Sequence, residues 1–326
     1  MSDGREVWIT GVGLITCLGE GLEAAWGHLE RGDPPPYDDK SFAPYIVHPL
    51  CALNFDKQIP KKSDQRQMEL WQRMGVYAAG LALADAGLAG KPELLDNTDM
   101  IVAAAGGERD IPADSGILTG MRKVTERGPF LNERLMSDLR PTLFLAQLPN
   151  LLAGNISIVH GVVGSSRTFL GEESAGIDAV RIAQARGARA HARLSAVRAD
   201  RNRRQPGEIE ATLRKEWATI AGKIDRPHAG VISGAAGLEP ATSAERVALK
   251  EIGLPVRNTG TYIGHGVETQ FVANIGIASA ALEHGKLFAP AGTGDFGSSP
   301  PDLSQVIVTG VGNWRGEGLA LVERVK

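Results

Sequence analysis

The chain has 326 residues, which at about 150 residues per domain predicts two lobes or one large fold. Its 35 basic and 38 acidic side chains give a net charge of −3, which offers no support for a nucleic-acid-binding or polybasic membrane-binding protein. Two cysteines, Cys17 and Cys51, are too few for a secreted disulfide framework and lack the spacing of a zinc or redox motif. We therefore expect a reduced, cytoplasmic protein with no membrane span, no metal and no nucleic-acid partner.

Forty glycines and 43% hydrophobic residues, against 5% aromatic residues, favour small-residue helices packed on sheets, and so an α/β class. Residues 7–13 predict a buried strand that runs into a glycine turn, and Leu22–Glu30 predict an amphipathic helix ending near Gly32. Further along the first half we expect a proline-rich surface excursion over 33–62, one helix from Asp64 to Leu88, a strand over Met100–Ala105, an irregular polar stretch over 108–140, a turn and short helix over Leu148–Gly154, and a helix from Ser174 to Arg186.

The second half opens with a concentration of arginines over residues 187–207, in a chain that is otherwise slightly acidic. Beyond this basic patch the hydrophobic pattern predicts a helix over Glu208–Ile224, a strand and turn over Gly230–Gly234, and a helix over Ala244–Glu251.

Several segments together make the chain similar to the β-ketoacyl-acyl-carrier-protein synthases, the condensing enzymes of the thiolase fold. They follow the family's order and spacing and cover most of the chain. The segments are ITGVG at 9–13 with Leu18-Gly19, ADAGL at 84–88, LPN at 148–150 with AGNISI at 153–158, Gly264-His265, and GVGNWRG at 310–316.

The resemblance implies a thiolase-like five-layer αβαβα arrangement of two similar halves, residues 1–184 and 185–326. It also implies a dimer that receives acyl chains from an acyl carrier protein and needs no cofactor. In such enzymes a cysteine at a helix N-terminus accepts the acyl group, and two histidines assist decarboxylation of a malonyl unit. The helix dipole favours the thiolate, and backbone N–H groups stabilise the thioester oxyanion.

This sequence departs from the family at those catalytic positions. Glu173, in the sequence LGEES, stands where the nucleophilic cysteine is expected. The first histidine is replaced by Gly234 or Ala235, whereas His265 matches the second. The lysine that family members place shortly before this histidine is also missing. The resemblance assigns substrate-binding positions to Gly234, Ala235, Gly310, Gly312 and Trp314.

Glu173 has three interpretations. Its carboxylate imitates an occupied acyl site or reshapes the pocket, at a position where the related chain-length factors have also lost the cysteine. Alternatively it caps the helix, which is worth ~0.3–1 kcal/mol. Direct attack on a thioester is the poorest reading, because a carboxylate with a pKa of ~4.3 is a weak nucleophile. His265 is either a retained catalytic residue or a buried histidine that only makes structural hydrogen bonds.

Two other patterns fail their motif tests. Ser174 lacks the GxSxG spacing of a hydrolase nucleophile, and Gly11-Val12-Gly13 lacks the third glycine of a dinucleotide-binding turn. We therefore expect neither a hydrolase nor a Rossmann fold.

Arg198, Arg201, Arg203 and Arg204 are candidates for docking an acidic acyl carrier protein, whose approach would be steered by charge and weakened by salt. A solvated basic loop explains the same cluster equally well.

Chain length is a second departure from the family. After the helix that starts at Ser174, the family carries further strands that bridge the two halves, and they are missing here. Either a true deletion or a shortened sequence accounts for this, and loss of a central strand is expected to disrupt the core.

The leading hypothesis is a 3-oxoacyl-(acyl-carrier-protein) synthase-like protein of fatty-acid or related acyl-chain assembly that has lost condensation. It would pair with an active synthase, or with itself, and shape an acyl tunnel. The alternative is a divergent acyltransferase that uses Glu173 and His265 on acyl-carrier thioesters. A third possibility is a binding module that sequesters the acyl carrier protein.

Overall fold

The computed structural model describes residues 7–107, 109–183 and 191–325. The strands of this part of the chain are β1 (Trp8–Ile9), β2 (Ile15–Thr16), β3 (Gly19–Glu20), β4 (Met100–Ala104), β5 (Ser166–Leu170), β6 (Ala192–Asp200), β7 (Ala229–Ser233), β8 (Val256–Asn258), β9 (Gln305–Val311) and β10 (Glu317–Arg324). The helices are α1 (Leu22–Arg31), α2 (Lys62–Gln67), α3 (Leu70–Asp85), α4 (Pro92–Leu95), α5 (Ile111–Met121), α6 (Arg127–Asp138), α7 (Leu143–Ala146), α8 (Asn150–His160), α9 (Glu172–Ala183), α10 (Glu208–Ala218), α11 (Ala241–Ile252), α12 (Gly260–Ile263) and α13 (Gln270–Glu283).

Sheets and helical layers alternate in the αβαβα order expected from the resemblance. The larger sheet has six strands in the order β1-β6-β10-β9-β7-β8, and the smaller sheet is the parallel pair β4-β5. Strands β2 and β3 form a separate antiparallel pair outside these two layers. Helix α9 contacts strands of both sheets, and α13 packs beside it on the larger sheet. Helices α3 and α8 cover the smaller sheet, while α10 and α11 cover the far side of the larger one.

The basic segment is partly a strand and partly a loop. Its residues from Ala192 to Asp200 form β6, which pairs antiparallel with β1 on one side and β10 on the other. Alternate side chains such as Ala192, Leu194 and Ala196 are buried, which is the pattern of an internal strand. The larger sheet therefore stays continuous, and the shortage of strands falls on the smaller sheet. The proposed boundary between the halves, at residues 184 and 185, lies outside the described residues.

Three further predictions are wrong or incomplete. The single helix expected from Asp64 to Leu88 is divided into α2 and α3, because Glu69 starts a new helix through a reciprocal capping box with Gln72. The stretch 108–140, expected to be irregular, contains α5 and α6, and the Asp110 side chain caps α5. The C-terminal part of the helix expected over Glu208–Ile224 is replaced by a 3-10 turn over Ala221–Lys223.

The first glycine turn has a packing role. A Cβ atom at Gly13 would lie 1.9 Å from the carbonyl oxygen of Ala78, and one at Gly11 would lie 2.4 Å from that of Ala82. The chain crosses α3 in backbone contact here, so only glycine fits at either position. This explains the Gly-Val-Gly pattern without a bound nucleotide.

Candidate functional site

The candidate site is built around the first turn of α9. Strand β5 enters this helix through Gly171, with φ 117°, and Glu172, with φ 43°. A positive φ is uncommon at a residue other than glycine, and such strain often marks functional sites. The tight turn places Glu173 at the helix start with only 6% of its surface exposed.

Glu173 and His265 are in hydrogen-bond contact, as a catalytic or positioning pair would require. Oε1 of Glu173 lies 3.0 Å from Nε2 of His265. Burial raises the pKa of Glu173, but the hydrogen bond from His265, its charge, and the backbone N–H groups of Glu173 and Asn313 bring the pKa below its ordinary value. The carboxylate is therefore ionised at neutral pH. Nδ1 of His265 is buried and has no hydrogen-bond partner within the described chain.

Close packing between α9 and the 3-10 turn over Val267–Thr269 brings the two side chains together. A Cβ at Gly176 would lie 2.2 Å from the carbonyl oxygen of Glu268, so the glycine permits this approach. The loop that carries His265 is anchored to α13, because the N–H of Gly266 donates to Oε1 of Gln270 at 2.9 Å. The sequence pattern had not singled out Gln270.

The glycine-rich turn between β9 and β10 closes over the start of α9. The N–H of Gly312 donates to the carbonyl of Gly316 at 2.8 Å, and a Cβ at Gly316 would lie 2.7 Å from the Cβ of Ser174. Among the predicted substrate-binding residues, Gly310 and Gly312 are buried, whereas Trp314 is 71% exposed at the tip. The residue that reaches the site from this turn is Asn313, which the sequence analysis missed.

Gly234, one of the two positions at which the resemblance leads us to expect the first histidine, is closely surrounded by backbone. It follows directly after β7, and a Cβ there would lie 2.3 Å from the carbonyl oxygen of Thr309. Its N–H donates to Oγ1 of Thr309 at 3.1 Å, and the buried Glu245 accepts from Ser233 Oγ at 2.7 Å. Burial raises the pKa of Glu245 despite these bonds. This backbone leaves no room for an imidazole at Gly234.

Cavities lie on both sides of these elements. One of about 230 Å³ sits at the carboxyl ends of β7 and β8 and is lined by Ala235, Asn258 and Thr261 among others. A second, of about 430 Å³, lies beside α9 and is lined by Ser174, Arg201 and Glu317 among others. Of the predicted substrate-binding residues, Ala235 therefore faces a cavity.

Both cysteines of the chain lie outside α9. The Cys17 thiol donates to the carbonyl of Tyr262 at 3.2 Å, and burial raises its pKa, which disfavours the thiolate. Cys51 is in the excursion, hydrogen-bonded through its N–H to Thr16. Among residues 7–107, 109–183 and 191–325 there is no group of three or more His, Cys, Asp or Glu suited to a metal ion. The same residues contain no helix long and apolar enough to cross a bilayer.

The four candidate docking arginines are separated by the structure. Nη2 of Arg201 lies 3.0 Å from Oδ2 of Asp178 at the surface, and Arg203 is exposed. The guanidinium of Arg198 donates to Oγ1 of Thr219 at 3.0 Å. Arg204 faces inward and forms an ion pair with Glu317, and only 16% of its side chain is exposed.

Comparison with known sequences supports the resemblance. Residues 4–188 match the profile described as "Beta-ketoacyl synthase, N-terminal domain". The 3-oxoacyl-acyl-carrier-protein synthase 2 of Vibrio cholerae is 26% identical over 165 residues, which cover 49% of this chain and 37% of that protein. The tetracenomycin polyketide synthase ketoacyl synthase beta subunit of Streptomyces glaucescens is 27% identical over 231 residues, covering 68% of this chain and 50% of that protein. The chain thus spans at most about half the length of these relatives.

Solved structures share the whole fold. A beta-ketoacyl synthase from Burkholderia phymatum STM815 matches with a TM-score of 0.76 and 15% identity, covering 99% of this chain and 100% of that chain. The ishigamide ketosynthase/chain length factor matches with a TM-score of 0.72 and 14% identity over the same proportions. At these identities the matches establish the thiolase-like architecture.

Proposed function

The chain belongs to the β-ketoacyl synthase family, and from that premise we propose that it is a non-condensing partner of an active synthase. It would act in fatty-acid or polyketide acyl-chain assembly. The observation that carries this proposal is the Glu173 carboxylate, which lies buried and ionised at the start of α9 against His265.

A condensing enzyme needs a nucleophile at the helix start, a free histidine and free backbone N–H groups. We place Glu173 at the nucleophile's position, where it contacts Nε2 of His265 and faces the backbone N–H groups of Glu173 and Asn313. Those N–H groups are of the kind that stabilises an oxyanion. A carboxylate that attacked a thioester would form a reactive mixed anhydride. The arrangement therefore favours a permanently filled acyl position over acyl transfer.

The exposed edge of the smaller sheet supports pairing with another subunit. Parallel sheets are ordinarily covered on both faces, and an open strand edge is a template for pairing. Here β5 leaves such an edge. Leu170 at its end, Val163 in the turn before it and Ile158 on α8 are exposed large apolar residues. The solved structure named the ishigamide ketosynthase/chain length factor contains a chain with this fold. We propose an active synthase as the partner, with a homodimer as the competing assembly.

Carrier docking is proposed for Arg198, Arg201 and Arg203. A further structural neighbour, at a TM-score of 0.70 and 14% identity, is described as a type II polyketide synthase acyl-carrier protein in complex with its ketosynthase. In this chain Arg201 and Arg203 are exposed, as electrostatic docking requires.

The test is to incubate the purified protein with acyl-carrier and malonyl-carrier thioesters and follow acyl transfer, decarboxylation and ketoacyl product by mass spectrometry. The protein alone is expected to give none above a blank. With an active synthase lacking its own partner, it is expected to form a complex by size-exclusion chromatography and change the product length. Steady turnover by the protein alone, lost in Glu173→Gln, would establish the acyltransferase alternative and overturn the partner hypothesis.

A further inference from the structure

Arg204 is held in an unusual position under the glycine-rich turn. Its φ is 59°, a backbone conformation that residues other than glycine rarely adopt, and its side chain is 16% exposed. The guanidinium donates to the Glu317 carboxylate, to Oδ1 of Asn202 at 2.7 Å, and to the carbonyl of Gly312 at 2.5 Å. Three acceptors thus fix both the backbone and the side chain.

Glu317 completes this network from the first residue of β10. It is fully buried, and its second oxygen accepts a hydrogen bond from Nδ2 of Asn202 at 2.7 Å. Asn202 in turn lies 3.1 Å from Oγ1 of Thr212 on α10. A buried carboxylate and guanidinium in hydrogen-bonded contact form a strong, directional interaction.

The network leads directly to the candidate site. Gly312, whose carbonyl Arg204 holds, is followed at once by Asn313, whose N–H faces the Glu173 carboxylate. We propose that Arg204 is a positioning residue that clamps the turn over residues 312–316 onto α9, and that the protonation state of Glu317 sets the strength of this clamp. The proposal deepens the proposed function, on which it rests for the importance of the filled acyl position.

The charge balance around Glu317 gives the direction of the pH response. Burial raises the pKa of Glu317 to about 7, although Arg204 opposes the shift. Ionisation as the pH rises through 7 strengthens the bond to Arg204, and protonation at lower pH weakens it. The other charged groups around Glu317 and its cavity are Asp200 at the end of β6, Arg201 after it, Glu208 and Glu216 on α10, and Asp178 and Arg181 on α9.

The experiment follows the Asn313 amide in the full-length, isotope-labelled protein by ¹H–¹⁵N correlation spectra between pH 5.5 and 9. In the wild type we expect a shift with a midpoint near 7 and slow hydrogen exchange. In Arg204→Gln we expect the midpoint to disappear and exchange to quicken at least about tenfold. Arg66→Gln removes the same charge from an exposed position on α2, and should behave like the wild type.

Glu317→Gln keeps Arg204 but removes the titrating group, so the Asn313 shift should lose its midpoint near 7 even if Arg204→Gln fails to fold. A folded Glu317→Gln protein that keeps this midpoint would overturn the pH response. A folded Arg204→Gln protein with wild-type exchange at Asn313 would overturn the clamp. The measurement uses the protein alone, without carrier or partner, so these failures are separate from a failure of the pairing and condensation tests.

Discussion

Glu173 on α9 and Glu216 on α10 are both buried glutamates, with 6% and 4% of their surfaces exposed, yet their ionisation is opposite. The pKa of Glu173 lies below its ordinary value because His265 and backbone N–H groups outweigh the cost of burial. Burial raises the pKa of Glu216 to about 8, aided by the nearby Glu317. Neither carboxylate oxygen of Glu216 has a hydrogen-bond partner in the described part of the chain. Partners, and not depth, thus decide which buried acid is charged.

The largest effect that sharpens this contrast is expected from Glu216→Gln. A pKa raised from 4.5 to about 8 means that the folded state holds a proton which the unfolded state releases. The resulting stability is present below 4.5 and is lost as the pH rises through 8. Between pH 5 and 9 the free energy of unfolding of the wild type should fall by roughly 2–4 kcal/mol, and that of Glu216→Gln should not show this fall.

Urea unfolding at pH 5, 7 and 9 measures this difference. Glu133→Gln, on the exposed surface of α6, is the matched control and should follow the wild type. Parallel pH profiles for Glu216→Gln and the wild type would show that Glu216 is solvated and ionised like any surface acid.

A smaller effect comes from breaking the packing that creates the Glu173 pair. Gly176→Ala places a Cβ 2.2 Å from the Glu268 carbonyl oxygen, so α9 must move away from the His265 loop. We expect a loss of about 1–3 kcal/mol in the free energy of unfolding. Gly154→Ala, in α8 with no atom within 4 Å of the new Cβ, should instead stabilise by about 0.5–1 kcal/mol. If both variants changed the free energy of unfolding in the same direction, the close approach of α9 to the Glu268 carbonyl would be contradicted.

Glu173→Gln tests the contact with His265 directly. It should lower the free energy of unfolding by about 1 kcal/mol at pH 7, because a hydrogen bond to a charged carboxylate becomes a neutral one. A lowered pKa means that this stability is present above 4.5 and disappears as the pH falls through the lower folded value. The gap between variant and wild type in urea unfolding should therefore close in acid. Glu93→Gln on the exposed α4 provides the baseline, and a gap that persists unchanged in acid would exclude the ion pair.

The resemblance predicts a site at Glu173 and His265, and the structure brings these two side chains together, but the sequence could not supply their surroundings. The pattern ESAG placed Glu173 at a helix start, and Gly264-His265 supplied its partner, because both depend on local motifs. Asn313 and Arg204 depend on which backbone groups meet across the sheet, and no local pattern encodes that meeting. The arginine-rich stretch illustrates the limit: its charge fitted both a docking surface and a solvated loop, and did not reveal that the alternate apolar residues Ala192, Leu194 and Ala196 form the internal strand β6.

The smallest expected effect is on catalysis. The test asks whether the rest of the site can catalyse condensation of acyl and malonyl units once Glu173 is replaced. Glu173→Cys supplies a thiol at the helix start, yet we expect no ketoacyl product above the blank, because catalytic groups act as a unit and neither Gly234 nor Ala235 supplies an imidazole. Glu173→Cys with Gly234→His should also fail, since any Cβ at Gly234 lies 2.3 Å from the Thr309 carbonyl oxygen. Thiol titration with a chromogenic disulfide, in the folded variants, confirms that the new cysteine is reachable. Robust product from Glu173→Cys alone, measured by mass spectrometry with malonyl-carrier and acyl-carrier thioesters, would mean that the first histidine of the family is dispensable here or that the site is misplaced.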